Sequence, residues 1–361
     1  MRFERLSVDG LRCLRNVSIQ PGPGLNVFVG ANGAGKTSLL EAMYLLSYGR
    51  SFRSGSRDVL RQRGADELRV YGEICHADDH LSRLGLGRGE GGWRIRVDGV
   101  TGERISDLIR HCAVVCFEPG SHALVSGAAD TRRRFLDWGV FHVEHCFLDA
   151  WRRYRRALRQ RNALLRTSTS DPASFMSWER EMGVAARAVH DHRQAYLTRL
   201  EPQLQTLCER MIPELGALSL RYRAGWDTTT NLADTLAEQR DRDRMRGYTT
   251  LGIHRADWRT MFSEAPQREY LSRGQEKLVA LACLMAQAHL YADFAGQWPV
   301  ICLDDLASEL DAAHQQLVLR ELVSASAQVM ITGTAIALPT QEVDTRMFHV
   351  EHGQVLSAKS G

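Results

Sequence analysis

Hydrophobic and polar residues alternate in short stretches over the first hundred residues, which is typical of β-strands that are buried on one face. The pattern predicts strands at 3–8, 17–20 and 25–29, and further antiparallel strands near 68–74, 82–86 and 93–97. Between these two groups, Leu39, Leu40, Met43 and Leu46 are spaced for one face of a helix. We therefore expect a helix from Lys36 to about Tyr48.

The pattern becomes helical and strongly charged from about residue 131 to residue 211. Trp151, Tyr154, Leu158 and Leu165 fall on one helical face, and a polar break at 167–172 precedes a second amphipathic stretch. The two stretches together predict a helical hairpin.

Strands and helices alternate again in the last third of the chain. We expect strands at 218–226 and 248–253, with a mobile polar loop at 238–247 between them. A long helix at 276–292, a strand at 300–303, a helix at 312–324 and a strand at 328–332 follow. The whole pattern predicts an α/β protein with a mixed sheet.

Eight residues directly after the apolar stretch 25–29 have the spacing Gly-x4-Gly-Lys-Thr of a nucleotide phosphate loop. Glycines allow backbone N–H groups to point at the β-phosphate, Lys36 reaches the β and γ oxygens, and the Thr37 hydroxyl binds Mg²⁺ at a helix N-terminus. A plain glycine-rich turn is the alternative. The candidate ATP-binding residues are Gly30, Ala31, Asn32, Gly33, Ala34, Gly35, Lys36 and Thr37.

Two adjacent acids, Asp304 and Asp305, end the apolar stretch 300–303. A buried parallel strand delivers such side chains to its carboxyl edge, where ligands bind in α/β sheets. We expect Asp304 to hold Mg²⁺ with Thr37, directly or through water, and Asp305 to orient or deprotonate the attacking water. Asp305 and Lys36 are therefore the candidate catalytic residues, although a helix cap could account for one of the two acids.

The pentad Leu-Ser-Arg-Gly-Gln at 271–275 precedes the long helix. Ser272, Gly274 and Gln275 are candidate nucleotide contacts, since a serine hydroxyl and amides at a helix N-terminus present donors to a γ-phosphate. Taken alone, the pentad is also a plausible helix cap.

The charge of the chain is nearly balanced, with a net charge of +3 and a pI of about 8.4 over 361 residues. The molecule is therefore not a polycation, and any surface for nucleic acid must be local. The charged N-terminal pentapeptide and the interrupted apolar stretch at 278–292 favour a cytoplasmic protein without a membrane partner.

Arginines supply the candidate contacts to DNA, because the guanidinium fork matches phosphate geometry. A solvated helix face is the alternative for such charges. Arg50, Arg53 and Arg57 follow the phosphate-loop helix and could neutralise nucleotide charge, or simply lie on the surface. The candidate DNA contacts are Arg132, Arg133, Arg134, Arg152, Arg156 and Arg159.

The order of these motifs resembles an ABC-type ATPase head, and the long helical segment between Lys36 and Ser272 resembles the shortened coiled coil of SMC-like DNA-repair ATPases. Stretches at 25–37, 40–42, 49–53, 132–137 and 303–305 are similar to the bacterial RecF family. The resemblance implies a lobe I with the mixed sheet, made of 1–118 and 293–361. It also implies a helical lobe II at 119–292, with a short coiled-coil-like hairpin.

The same resemblance implies a function in recombinational repair of gapped DNA, replication-fork maintenance and SOS induction. ATP would drive homodimerisation on duplex DNA and single-strand/duplex junctions, with slow hydrolysis as the switch. RecR and RecO would be partners, and RecA would be loaded indirectly. A transporter ATPase subunit is disfavoured by the long helical segment, and a small-molecule kinase leaves 271–275 and 308–311 without a role.

Overall fold

The chain folds into two units, one of which is built from both ends of the sequence. The computed structural model describes residues 1–53, 60–167, 171–333 and 344–357. The first unit comprises 1–121 and 288–361, and the second comprises 122–287.

An antiparallel sheet of six strands forms one layer of the first unit, in the order β2-β1-β4-β5-β6-β7. Its strands alternate in burial as the sequence predicts, with Leu68 and Val70 buried and Arg69 exposed. The strands, numbered in chain order, are β1 (Arg2–Asp9), β2 (Val17–Ile19), β4 (Leu68–Cys75), β5 (Leu81–Gly89), β6 (Gly92–Val97) and β7 (Val100–Gly102).

A second sheet has the order β14-β13-β3-β12-β11-β8, and all its neighbours are parallel except β13 with β14. Strand β12 lies between β3 and β11, so the residues that follow β3 and β11 meet at one carboxyl edge. The strands are β3 (Leu25–Val29), β8 (Val114–Phe117), β11 (Val300–Leu303), β12 (Val329–Gly333), β13 (Thr345–Glu351) and β14 (Gln354–Ser357).

Helix α1 (Lys36–Tyr48) contacts strands of both sheets, including β4 and β5 of the first and β8 and β12 of the second. A helix between two sheets must be apolar nearly all round, and Leu39, Leu45 and Leu46 are each fully buried. The other helices of this unit are α2 (Ile105–Ile109), α10 (Leu306–Glu309) and α11 (Ala312–Ser324).

The second unit is mainly helical. Helices α5 (Phe147–Leu165) and α6 (Pro172–Met211) pack along each other and confirm the predicted hairpin. The other elements are α3 (Ala123–Ser126), α4 (Ala129–Val143), α7 (Leu232–Glu238), α8 (Arg240–Arg246) and the antiparallel pair β9 (Leu218–Arg223) and β10 (Asp257–Phe262), with 3₁₀ turns at 213–215, 253–255 and 268–270.

Helix α9 (Arg273–Ala295) begins in this second unit and ends in the first. Within the described residues it is the one helix long and apolar enough to cross a membrane. Because 61% of its apolar stretch is buried inside the protein, it also has the character of a core helix.

Two predictions for the second unit are wrong. The segment predicted as a mobile loop contains α8, and the strand expected at 248–253 is replaced by a turn and by β10 further along. A buried ionic network orders this polar segment. Arg161 donates to Glu179 (3.1 Å), to Asp243 (2.7 Å) and to the hydroxyl of Thr249 (2.8 Å), and its side chain is fully buried.

We expect Arg161→Ala to lower the free energy of unfolding by about 3 kcal/mol, because buried Asp243 loses the guanidinium with which it pairs, while Glu179 keeps its pair with Arg240. Arg159→Ala, on the same helix but exposed, is the matched control and should change stability by less than about 0.5 kcal/mol. Urea unfolding followed by circular dichroism measures both. Equal effects of the two substitutions would contradict the structural role of Arg161.

Candidate nucleotide-binding site

The phosphate loop connects β3 to α1, as the sequence predicts. The Lys36 ammonium donates to the carbonyl oxygens of Gly30 (2.7 Å) and Ala31 (3.0 Å), so it lies inside the curl of the loop. A Cβ atom on Gly30 would lie 2.1 Å from the carbonyl oxygen of Val350, and Gly33 has a φ of +81°. Both positions therefore require glycine.

Three side chains join at the carboxyl edge of the parallel sheet. One carboxylate oxygen of Asp304 accepts hydrogen bonds from the hydroxyls of Thr37 (2.8 Å) and Thr332 (2.7 Å). The Thr332 hydroxyl also accepts from the backbone N–H of Asp305 (2.9 Å). This Asp304 cluster connects the start of α1 with the ends of β11 and β12.

Asp304 is only 3% exposed, and this burial raises the pKa of its carboxyl above the usual range. The hydroxyls of Thr332 and Thr37 oppose the shift, because a donated hydrogen bond favours the carboxylate. The Asp304 carboxylate is therefore costly to keep charged in its buried position, and it lies beside hydroxyl oxygens. A divalent cation bound there would stabilise the charged form.

Asp305 has a φ of +52°, which is a strained conformation for a residue other than glycine. Its carboxylate accepts from the Ser308 hydroxyl (2.7 Å), and its backbone N–H is the one held by Thr332. The strained turn directs the second acid away from the buried position of Asp304, so the two carboxylates lie in different environments.

Arg12 is a member of the cleft that the sequence pattern did not predict. It also has a positive φ, of 55°, and donates two hydrogen bonds to Glu41 of α1, at 3.0 and 2.8 Å. Glu41 is fully buried and also accepts from the Ser51 hydroxyl. Because Glu41 fixes its position, Arg12 adds a positive charge to the cleft; nothing in the local sequence marks it.

These residues surround a cleft of about 230 Å³. Arg53, considered from sequence, lines it, whereas Arg57 lies outside the described residues. Arg50 also follows α1. Burial raises the pKa of Tyr44, and the positive charge of Arg50 opposes that rise. The lining is Arg12, Cys13, Asn32, Gly33, Gly35, Lys36, Thr37, Ser38, Arg53, Asp304, Asp305 and Thr332.

The donor set fits a magnesium nucleotide. Neighbouring ligands of octahedral Mg²⁺ lie about 2.9 Å apart when the metal–oxygen bonds are about 2.0–2.1 Å. The Thr37 and Asp304 oxygens are 2.8 Å apart, and both are hard oxygen donors. Lys36, Arg12 and Arg53 supply the positive charge that a triphosphate requires.

The pentad at 271–275 forms a reciprocal cap in the second unit. The Ser272 hydroxyl accepts from the backbone N–H of Gln275 (3.2 Å), and the Gln275 side chain accepts from the N–H of Ser272 (3.0 Å). Ser272 and Gly274 are exposed at the first turn of the 23-residue helix α9. The cap thus holds a helix N-terminus open to solvent.

The prediction that Arg132 contacts DNA is wrong. Its side chain is buried and donates to both carboxylate oxygens of Asp257 (2.7 and 3.2 Å) and to the carbonyls of Val125 and Gly127. A guanidinium engaged in this way has no free edge for a phosphate. The arginine is instead a structural connection between α4 and β10.

The other predicted arginines differ in their surroundings. Arg133 donates to the carbonyl of Ala256 (2.7 Å), and Arg134 pairs with Asp130. On α5, Arg156 and Arg159 are exposed, with Arg156 over the ring of Trp178, while Arg152 lies 3.7 Å from Asp149. Arg134, Arg156 and Arg159 retain the solvent exposure that a DNA contact needs.

Almost the whole chain matches one protein family. The family described as RecF/RecN/SMC N terminal domain matches residues 2–354. The DNA replication and repair protein RecF of Stenotrophomonas maltophilia is 46% identical over 99% of this chain and 100% of its own length. The chain belongs to the RecF family. The RecF protein of Stutzerimonas stutzeri is 41% identical, covering 98% of this chain and 97% of that one.

Solved structures confirm the RecF fold. The recombination mediator protein RecF with ATP, in the RecFOR pathway, has a TM-score of 0.90 at 24% identity and covers 99% of this chain and 97% of its own. An Smc head domain derived from Pyrococcus furiosus has a TM-score of 0.57 at 15% identity, with coverages of 99% and 96%. The ABC-type head expected from the motif order is therefore the fold of the chain.

We expect Thr332→Val to weaken magnesium-dependent ATP binding at mildly acidic pH. Without the hydroxyl, the pKa of Asp304 rises further, and a protonated carboxyl cannot bind a cation. Binding should then be lost about one pH unit higher on acidification than in the wild type. Calorimetric titration with Mg·ATP between about pH 5 and pH 8 measures the shift.

Thr332→Ser keeps the hydroxyl and is the matched control for that experiment. Its pH profile should overlay that of the wild type. If Thr332→Val binds Mg·ATP with the wild-type profile, the hydroxyl does not influence the carboxylate.

Proposed function

We propose that the protein is an ATP-dependent, DNA-binding recombination mediator of the RecF type, in which ATP joins two copies and slow hydrolysis releases them. The observation that supports this proposal most is the Asp304 cluster beside the phosphate loop, in a chain whose Ser272 lies exposed directly before helix α9. A kinase needs the first feature and has no use for the second.

The residues of the cleft each have a distinct task in this proposal. Lys36 leaves the carbonyls of Gly30 and Ala31 and donates to the β and γ oxygens. Thr37 and Asp304 would hold Mg²⁺, which would neutralise phosphate charge when bound. Asp305 accepts a hydrogen bond from the attacking water, and Ser308 keeps that carboxylate in position.

The described lining of the cleft supplies two acids and three cations and does not include residues 272–275, so we propose that a second copy brings these donors to the nucleotide. In the dimer, Ser272 and the first-turn amides of α9 from one copy face the γ-phosphate bound by the other. The cap formed with Gln275 preorganises these donors, so little ordering is needed when the copies meet.

The proposed lobes, partners and cellular process are those expected of a member of the RecF family. We propose that the two units are the lobes expected from sequence, with 1–118 and 293–361 in lobe I and 119–292 in lobe II. DNA at duplex and gapped junctions, RecR and RecO are the proposed partners, and RecA loading in the cytoplasm, during repair and SOS induction, is the proposed outcome. The relatives' names and the RecFOR pathway of the solved structures support this assignment.

We expect Lys36→Ala and Ser272→Arg to abolish ATP-induced dimerisation by different routes. Lys36→Ala should lower ATP affinity about 10- to 100-fold, since it removes charge-assisted hydrogen bonds to phosphate. Ser272→Arg should leave ATP binding by the single copy within about two-fold of wild type, because the serine belongs to the opposing surface. Calorimetry and light scattering with Mg·ATP separate the two effects.

Ser177→Arg, an exposed position on α6, introduces the same charge away from the proposed interface and should dimerise normally. A wild-type protein that stays a single copy at saturating Mg·ATP would overturn the proposed function.

We expect Asp305→Asn to bind Mg·ATP and to dimerise, yet to hydrolyse ATP about 100-fold more slowly, because the amide cannot accept the proton of the water. The dimer should consequently remain on DNA longer. Phosphate release and dissociation from labelled DNA measure the two rates. Unchanged hydrolysis would show that another group orients the water.

A further inference from the structure

Three arginines lie exposed on one face of the β9–β10 pair. Arg221 and Arg223 are on β9, two residues apart and therefore on the same face, and Arg259 is on β10. The register places Arg259 directly opposite Arg221. We call this set the arginine face.

The register of the arginine face is electrostatically unfavourable for the isolated protein. Like charges directly opposite each other in an antiparallel pair destabilise it, since their Cβ atoms are about 5 Å apart. Arg259 is 64% exposed, and solvent only partly screens the repulsion. An arrangement of this kind is relieved when an anion lies between the two guanidiniums.

An acid on the same face as these arginines is already engaged. Asp257 lies directly opposite Arg223 in the register, but both of its carboxylate oxygens accept from the buried Arg132. Arg259 donates one hydrogen bond of 3.3 Å to the same carboxylate and pairs with it. In the described part of the chain, the guanidiniums of Arg221 and Arg223 have no hydrogen-bond or ion-pair partner.

A depression of about 410 Å³ adjoins the arginine face in the second unit. Four arginines line it, Arg132 and the three of the arginine face, with Glu269 as the acid among the lining residues. With Asp257 included, the region holds two more positive than negative charges. Its apolar lining includes Trp258, Met261 and Leu271, and Leu271 directly precedes Ser272.

We propose that the arginine face and this depression bind the phosphate backbone of a nucleic-acid strand. Residues two apart on a strand are separated by about 7 Å and paired strands by about 5 Å, so the three guanidiniums can meet successive phosphates. A repeating polyanion satisfies all three together, whereas a single carboxylate satisfies at most two. The proposal rests on the proposed function for the identity of the strand as DNA.

Leu271 lines the depression and directly precedes Ser272. DNA phosphates on the arginine face would lie beside the segment that leads into Ser272, so DNA and the cap formed by Ser272 and Gln275 share one region of the second unit. Binding at the two sites is therefore expected to be coupled, and the coupling must be reciprocal.

The test uses the full-length triple variant Arg221→Gln/Arg223→Gln/Arg259→Gln and a labelled duplex with a single-stranded extension. Anisotropy titrations run at several salt concentrations between about 50 and 200 mM. We expect affinity to fall about 10- to 100-fold at low salt, and the slope of log affinity against log salt to become shallower by about 2–3. Thermal unfolding should not shift downward, since exposed like charges are removed.

The matched control is Arg5→Gln/Arg83→Gln/Arg96→Gln, which removes the same charge from exposed positions on the antiparallel sheet of the first unit. It should lose less than about three-fold in affinity and keep the wild-type slope within about one. An equal loss in both variants would overturn the assignment of the arginine face, because only net charge would then matter.

Dimerisation with ATP and binding of an acidic peptide separate this inference from the proposed function. If the wild type dimerises with ATP and binds DNA while the triple variant binds DNA equally well, the inference fails and the proposed function stands. If ATP has no effect but the triple variant loses DNA affinity, the inference stands alone. If the triple variant loses only the binding of a labelled oligo-glutamate peptide, the surface is one for acidic peptides and the inference is overturned.

Discussion

One buried carboxylate oxygen of Asp304 connects the parts of this protein that must act together. The hydrogen bonds from Thr37 and Thr332 meet on that atom, and through them the phosphate-loop helix, strand β11 and strand β12 share a fixed geometry. The arrangement is stable because the parallel sheet brings three strand ends to one edge. A displacement of any of these elements by an ångström would break the cluster.

The same cluster explains how a nucleotide signal could leave the cleft. A cation held by Thr37 and Asp304 would replace the hydrogen bond between them, and Thr332 connects that position to the backbone N–H of Asp305. Asp305 is already in a strained conformation, so its turn stores free energy that a small change in its hydrogen bonds can release. Helix α10 begins directly after this turn, with Asp305 at its N-terminal end.

The sequence predicted the parts of the fold whose physical cause is local. The phosphate loop, α1, β11 and the hairpin of α5 and α6 depend on periodicity or on a compact motif, and all were found at the expected positions. Arg12 could not be predicted, because its role depends on Glu41, a residue 29 positions away that becomes its partner only when α1 is buried. The prediction for the segment around α8 was wrong for the same reason. Its polar residues suggested a loop, but Asp243 of this segment accepts a hydrogen bond from the buried Arg161.

Arginine shows most clearly why charge patterns in a sequence have limited meaning for nucleic-acid binding. Arg132 lies in the densest run of arginines and is buried on Asp257, whereas Arg221, Arg223 and Arg259 are scattered in sequence and meet on one sheet face. The two facts are linked, because Arg132 engages both carboxylate oxygens of Asp257, which lies opposite Arg223. Burial of one arginine therefore leaves Arg221 and Arg223 exposed and, within the described residues, without an ion-pair partner, while Arg259 keeps one hydrogen bond of 3.3 Å to Asp257. The surface suited to a polyanion is thus a product of the internal ion pair rather than of the local composition.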